Sequence, residues 1–452
     1  MDLLGLFIVL FNVMSVRSSS SPSCDVSSSS SDPIPKLAQY FTTKTRYEEV
    51  NPHLIPDIHF INESWVKPPA PECRAVHLSA IVRHGTRYPT AKNIKKIIQF
   101  WNLVKNGADL RCMKDLQSWR NWYEEDMDGR LVEKGRFDHK HLAIRLIRSF
   151  PNLITKQNVE AGRVKFISSS KHRCVNSTVA FKQGVQEELS MLDVDLQHTI
   201  NDELMRFFDK CRRLVETVEN NKDAVVEMEK FNGGAEMGRI QEKLADRLQL
   251  PYSNVTADSV EAAFYLCAYE FAIRNLNSPW CHLFDHRDGQ VMEYAGDLKQ
   301  YWKRGFGHDI NSKASCVLFH DLFNRLETAA NQTQAGEEVP EVLTVQVGHA
   351  ETLLPLITLL DLFSGDAPLN ASDFASQSGR VFRSGKIVPY ASNLLVALYS
   401  CHDGLRLQFR LNEQPVMMPG LADLSPLYQD VRSRYEELLK GCDQKTVCSM
   451  DS

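Results

Sequence analysis

Arg83-His84-Gly85-Thr86-Arg87-Tyr88-Pro89 places one imidazole between two guanidiniums, directly after the apolar run from Ala75 to Val82. A short apolar run of this kind reads as a buried strand. A polar cluster at its C-terminal mouth is where open α/β sheets put their ligands. Two fixed forks of N–H donors suit a phosphoryl group, and an imidazole of near-neutral pKa can attack phosphorus. Arg-His-Gly alone would read as an exposed basic loop, so the rest of the chain has to decide.

Two later segments repeat the design of strand, polar turn and helix. Val164-Lys165-Phe166-Ile167-Ser168 runs into Ser169-Ser170-Lys171-His172-Arg173 and a helix through Val179 and Phe181. Val342 to Val347 runs into Gly348-His349-Ala350-Glu351 and an apolar helix from Thr352 to Phe363. Repeated units of this kind predict an α/β fold, a mainly parallel sheet with helices on both faces. Each unit carries its reactive side chains just past a strand end, so all three converge if the strands are neighbours.

Between the second and third units the pattern turns helical. Asn201-Asp202-Glu203-Leu204 reads as a helix start, and Leu204, Phe207, Phe208, Cys211 and Leu214 recur at helical spacing. Ala257 to Leu276 reads as an amphipathic helix. Residues 201–312 are therefore expected to form an inserted α-helical cap, dividing an α/β core of 34–200 and 313–440, with 441–452 as a tail. Asn393 to Tyr399 and Leu405 to Leu411, joined through His402-Asp403-Gly404, read as a hairpin, and Tyr428 to Leu439 as a last helix.

With 452 residues, 43% hydrophobic and 24% charged, the chain has ample core for a globular protein. Its net charge of -5 argues against a nucleic-acid binder that relies on a basic surface. Any anion site must be a local positive pocket in a mildly acidic body. The apolar run that begins at Met1 predicts a cleaved signal peptide over 1–18, and the serine-rich stretch 19–33 predicts a disordered segment. No other stretch is long and apolar enough to span a bilayer.

Sequons at Asn62, Asn176, Asn254, Asn331 and Asn370 fit a secretory route, as do eleven cysteines without C-x-x-C spacing. Glycosylation is expected at Asn62, Asn254, Asn331 and Asn370. Asn176, three residues from Arg173, is expected to be buried and unmodified. The odd cysteine count requires a free thiol or one lost in processing. Cys448-Ser449-Met450-Asp451-Ser452 carries no Lys-Asp-Glu-Leu-type signal, which leaves lumenal retention and secretion or cell-surface display open.

Displacement at phosphorus needs a nucleophile, positive charge on the equatorial oxygens and a proton for the leaving group. His84 fits the nucleophile as neutral imidazole, one ring nitrogen aimed at phosphorus and the other donating to a carbonyl. Arg83, Arg87, Arg173 and His349 fit a clamp, whose members are typically worth about 2.7–4 kcal/mol each in rate. Glu351 fits the proton donor, which implies a raised pKa or an acidic working pH. Lys92, Lys95, Lys96 and Lys171 fit holders of further phosphates. The scheme needs no metal and no cofactor. His139 with His141 reads as a solvated surface, since residues two apart do not share a helix face. His282 and His286 share a face but lack a ligand constellation.

Taken together, Arg83 to Pro89, Arg173 after Ser168-Ser169-Ser170, and His349-Ala350-Glu351 resemble the histidine acid phosphatases, the phytase-like family. His-Ala-Glu continued by Thr352-Leu353-Leu354-Pro355-Leu356 is similar to the multiple inositol polyphosphate phosphatase branch, where most phytases carry His-Asp. Asn201 to Phe208, Glu293-Tyr294-Ala295-Gly296-Asp297-Leu298 and Val388-Pro389-Tyr390-Ala391-Ser392-Asn393 extend the likeness over about residues 35 to 440. The resemblance implies hydrolysis of inositol hexakisphosphate, lower inositol polyphosphates and 2,3-bisphosphoglycerate through a phosphohistidine, in the endoplasmic-reticulum lumen or outside the cell. Two alternatives stay open. One is a phosphoglycerate-mutase-like phosphotransferase, and the other is an inactive relative that binds polyanions.

Overall fold

A computed structural model describes residues 35–450. The expected leader and serine-rich segment lie outside the described residues.

The molecule is built on one seven-stranded sheet: β1 Arg74–Arg83, β2 Val164–Ser168, β3 Thr199–Ile200, β4 Leu343–Gly348, β5 Asn393–Cys401, β6 Gly404–Leu411 and β7 Gln414–Pro415, in the order β3-β2-β4-β1-β5-β6-β7. β3, β2, β4 and β1 run parallel, as the repeated units predict. From β1 outward the sheet turns antiparallel through β5, β6 and β7, so it is mixed. The β5–β6 hairpin closes on the expected turn, with Cys401 paired to Gly404. Every residue of β4 is buried, as is every residue of β1 from Val76 to Arg83. Side chains alternate between the two faces of a strand, so unbroken burial means both faces are covered.

The longer helices are α1 Ala91–Gly107, α2 Glu133–Ser149, α3 His172–Glu188, α4 Ala235–Leu248, α5 Ala257–Arg274, α6 His286–Arg304, α7 Cys316–Gln334 and α8 Ala350–Leu359. Residues 201–312 are helical as expected, but their apolar side chains join the same core as the sheet. Trp280 packs on Phe100 and Trp101 of α1, ring centroids 5.6 and 6.1 Å apart. The helix α5 departs from the amphipathic pattern expected of it. Its run from Ala262 to Ala272 is buried all round, as suits a helix enclosed by neighbours. Asn201 caps the helix start as read, its Oδ1 accepting from Leu204 N at 3.0 Å. The helical pattern beyond it breaks at Arg206 and Cys211.

Disulfide Cys73–Cys401 ties the residue before β1 to the end of β5, Cys267–Cys281 lies within the helical block, and Cys211–Cys448 and Cys316–Cys442 fasten that block and α7 to the C-terminal residues. Cys174 is a free, buried thiol. Asn254 and Asn331 are exposed. Asn176 has its amide engaged at both ends, with Arg136 and the His172 carbonyl. No helix among the described residues is long and apolar enough to cross a membrane.

The loop after β1 is locked against α2 by two glycines. A Cβ on Gly85 would meet Gly135 O at 2.2 Å, and one on Gly135 would meet Thr86 O at 2.1 Å. Neither backbone can yield without moving the other. Gly135→Ala is therefore expected to destabilise the fold by about 1–3 kcal/mol, as overpacking does. Guanidinium unfolding of the disulfide-intact protein measures this, and an unchanged midpoint would contradict it.

Candidate active site

Sheet register delivers the three turns to one place. Arg83 pairs with Gly348 and Ser168 with Val347. The next residues continue the pattern: His84 N donates to Gly348 O at 2.9 Å and Ser169 N to Val347 O at 3.1 Å. β2, β4 and β1 are neighbours, so His84, His349 and the start of α3 meet at one sheet edge. The N-termini of α3 and α8 open there, adding partial positive charge and free N–H groups.

His84 is buried, and its Nδ1 lies 2.9 Å from Gly85 O. A carbonyl only accepts, so Nδ1 carries the proton and Nε2 keeps its lone pair. Burial, followed by the charges of Arg173, Arg83 and Arg87, pushes its pKa well below the usual histidine value. The ring is neutral, as nucleophilic attack requires. The His349 ring lies 5.6 Å away, edge to face.

Arg83 is anchored through Nη1 to Thr43 O at 2.8 Å and Val388 O at 2.6 Å, with its plane 4.7 Å from the Tyr390 ring. Arg87 is held by Tyr88 O at 2.7 Å and by the Tyr269 hydroxyl. Arg173 Nη2 donates to His349 Nδ1 at 3.2 Å, while Ser169 Oγ lies 2.9 Å from His349 Nε2. These three guanidiniums have one feature in common. Nε of Arg83, of Arg87 and of Arg173 is buried with no hydrogen-bond partner among the described residues. Buried unpaired donors are costly. Three of them around one imidazole form a site that an anion with several oxygens would satisfy.

Glu351 lies in the first turn of α8, half-buried. Burial alone would raise its pKa, but Arg304, His349 and Arg83 overcome it and hold the carboxyl down at about 2. This corrects the first of the two expectations for Glu351: in the unliganded site its pKa is lowered. His349 is likewise held down to about 3, by burial and then by Arg173.

The lysines divide. Lys92 and Lys96 line a cleft of about 700 Å³ that also borders Thr43 and Lys44, whereas Lys95 and Lys171 are exposed and do not line it. Lys96 is not a free cation, since it donates to Asp258 at 2.6 Å and to Glu261 at 2.5 Å.

His139 corrects the reading of a solvated surface. It is fully buried, and its Nε2 donates to Arg83 O at 3.0 Å, while His141 points elsewhere and pairs with His59. Its neighbour Asp138, also buried, accepts from Thr86 N at 3.0 Å and Thr86 Oγ1 at 2.7 Å. Among the described residues no group of three or more His, Cys, Asp and Glu side chains is arranged to hold a metal. Arg304 and Asp138 are not legible in the sequence, since neither follows a strand exit, and Tyr390 enters there only within the likeness of Val388 to Asn393.

Comparison with known proteins shows the family. The family model described as histidine phosphatase superfamily (branch 2) matches residues 76–413. Multiple inositol polyphosphate phosphatase 1 of Gallus gallus is 42% identical over 92% of this chain and 93% of its own length. Its Homo sapiens namesake is 42% identical over 93% and 91%. Among solved structures, the Bifidobacterium longum multiple inositol polyphosphate phosphatase in complex with inositol hexasulfate superimposes with a TM-score of 0.71 at 14% identity. It covers 87% of this chain and 97% of that one, a likeness of fold. The chain therefore belongs to branch 2 of the histidine phosphatase superfamily.

Proposed function

We propose that this chain is a phosphomonoesterase that removes phosphoryl groups from inositol polyphosphates through a phosphohistidine on His84. The observation that carries the reading is the set of three unpaired guanidinium Nε–H groups around an imidazole whose Nε2 lone pair is free. The substrate class rests on the relatives named as multiple inositol polyphosphate phosphatases and on the neighbour bound to inositol hexasulfate. 2,3-Bisphosphoglycerate, another compact polyphosphate, falls within the same chemistry.

In the first step His84 Nε2 bonds to phosphorus as the P–O bond to the inositol oxygen breaks. Arg83, Arg87 and Arg173 take the non-bridging oxygens, and His349 turns its N–H from Ser169 to the phosphoryl group. Glu351 gives its proton to the leaving alkoxide. In the second step water attacks phosphorus, Glu351 takes the water's proton, and the P–N bond breaks. Gly85 O holds the Nδ1 proton throughout and supports the cationic ring. Residues 201–312 act as the cap, their Glu261, Lys299 and Lys303 walling the cleft. The disulfides among the described residues support an oxidising compartment, and we assign the protein to the endoplasmic-reticulum lumen or the outside of the cell.

An ionised Glu351 has one consequence for the pH profile. The proton it later gives away has to arrive with the substrate, as a monoprotonated phosphoryl group, whose second pKa is about 6. Raising the pH above that value removes the proton, so kcat/KM is expected to fall about tenfold per unit there. Lowering the pH through 6.5 does not protonate His84, whose pKa is depressed, so no acid limb is expected near that value. An acid limb close to 6.5 in the kcat/KM profile would contradict the assignment.

His84→Ala is expected to abolish release of phosphate from inositol hexakisphosphate, measured by colorimetric assay. Undiminished turnover in that variant would end the mechanism. Glu351→Gln is expected to lower kcat/KM, which reports the phosphorylation step alone, by about 10²–10⁴-fold on inositol hexakisphosphate. On p-nitrophenyl phosphate, whose leaving group needs no proton, the loss is expected to be much smaller. Equal losses on both substrates would remove Glu351 as the acid.

A further inference from the structure

The turn Thr42–Thr45 contributes no side chain to the phosphoryl clamp, yet it is built at a cost. Thr42 is β-branched and adopts φ 51°, a left-handed conformation that such residues rarely hold outside functional sites. Two glycines admit it. A Cβ on Gly296 would approach Thr42 Cγ2 to 2.6 Å, and one on Gly385 would come within 3.2 Å of Thr42 Cα. Thr43 O accepts from Arg83 Nη1 at 2.8 Å, which fastens the turn to the phosphoryl clamp.

The next residue, Lys44, lines the cleft of about 700 Å³ with its Nζ 4.1 Å from the Tyr265 ring centroid. Lys299 of α6, Glu261 of α5, Arg83 at the end of β1 and Arg87 just beyond it all act on it. Glu261 is already matched by Lys96 at 2.5 Å and Lys299 at 3.9 Å. No carboxylate lies within ion-pair distance of Lys44 among the described residues. Burial and then Lys299 push its ammonium down to about 7, with Arg87 and Arg83 adding to the effect and Glu261 opposing it. A cation crowded by cations next to an open cleft is stabilised chiefly by a bound anion.

We infer that Lys44 binds a second phosphate of the substrate, adjacent to the one being transferred, and thereby selects polyphosphates over simple monoesters. The inference rests on the function proposed above. Its test is the ratio of kcat/KM for inositol hexakisphosphate to that for p-nitrophenyl phosphate, in wild type, Lys44→Met, Lys44→Arg and Lys105→Met. Lys105, at the exposed far end of α1, controls for loss of one unit of charge.

The ratio is expected to fall about tenfold or more in K44M, through KM, to recover in large part in K44R, and to stay put in K105M. An unchanged ratio in K44M overturns the inference. So does an equal loss on both substrates, which would make Lys44 a support for the clamp. Calorimetric titration with inositol hexasulfate, which needs no turnover, is expected to show weaker binding in K44M, and unchanged affinity again overturns it. Wild-type protein that turns over p-nitrophenyl phosphate but not inositol hexakisphosphate would sink the polyphosphate reading itself, and this inference with it.

Discussion

Parallel pairing of β2, β4 and β1 is the constraint on which the site depends. Those strands leave the sheet within one residue of each other in register, so three turns that are far apart in sequence open side by side. The backbone bonds from His84 to Gly348 and from Ser169 to Val347 carry the pairing one step beyond the strands. A slip of one residue would invert every side chain along a strand and send His84 or His349 to the wrong face. Burial on both faces of β4 and β1 makes such a slip expensive. The precision of the site thus comes from the core beneath it.

Electrostatics pull the other way. Arg83, Arg87 and Arg173 gather around two neutral histidines, and their Nε–H groups have no hydrogen-bond partner among the described residues. Burying unpaired donors costs stability, and like charges at close range add to the cost. The surroundings hold the arrangement in place. Asp138 grips Thr86, His139 grips the Arg83 carbonyl, and Gly85 and Gly135 interlock. Glu293 and Asp297 of α6 fix Arg380, Arg383 and Ser384, the segment just before Tyr390. This gives a structural reason for the stretch Glu293 to Leu298, which sequence reading noted only as a likeness.

Much of the site was legible because its residues follow a pattern that chemistry and topology share. Arg83, His84, Arg87, Arg173, His349 and Glu351 all come just after a β-rich run, where ligands gather in sheets of this type. What escaped notice depends on partners that a linear reading does not reveal. Lys96 reads as a free cation until Asp258 and Glu261 appear beside it. His139 reads as exposed because α2 was judged without the loop that packs on it. Lys44 and Thr42 lie before the first strand, in a stretch with no period, and only contact with Gly296, Gly385 and Arg83 gives them meaning. The parallel half of the sheet follows from the repeated units, and attachment of the hairpin to β1 makes the other half antiparallel.

The central claim is that one ring nitrogen of His84 takes the phosphoryl group. Rapid quench of the enzyme with inositol hexakisphosphate at neutral to alkaline pH, followed by peptide mass spectrometry, tests it most directly. The account predicts phosphate on the peptide containing His84, bonded to nitrogen and lost on acid treatment. Phosphate on any other residue, or single-turnover release with no phosphopeptide at any time point, would contradict it.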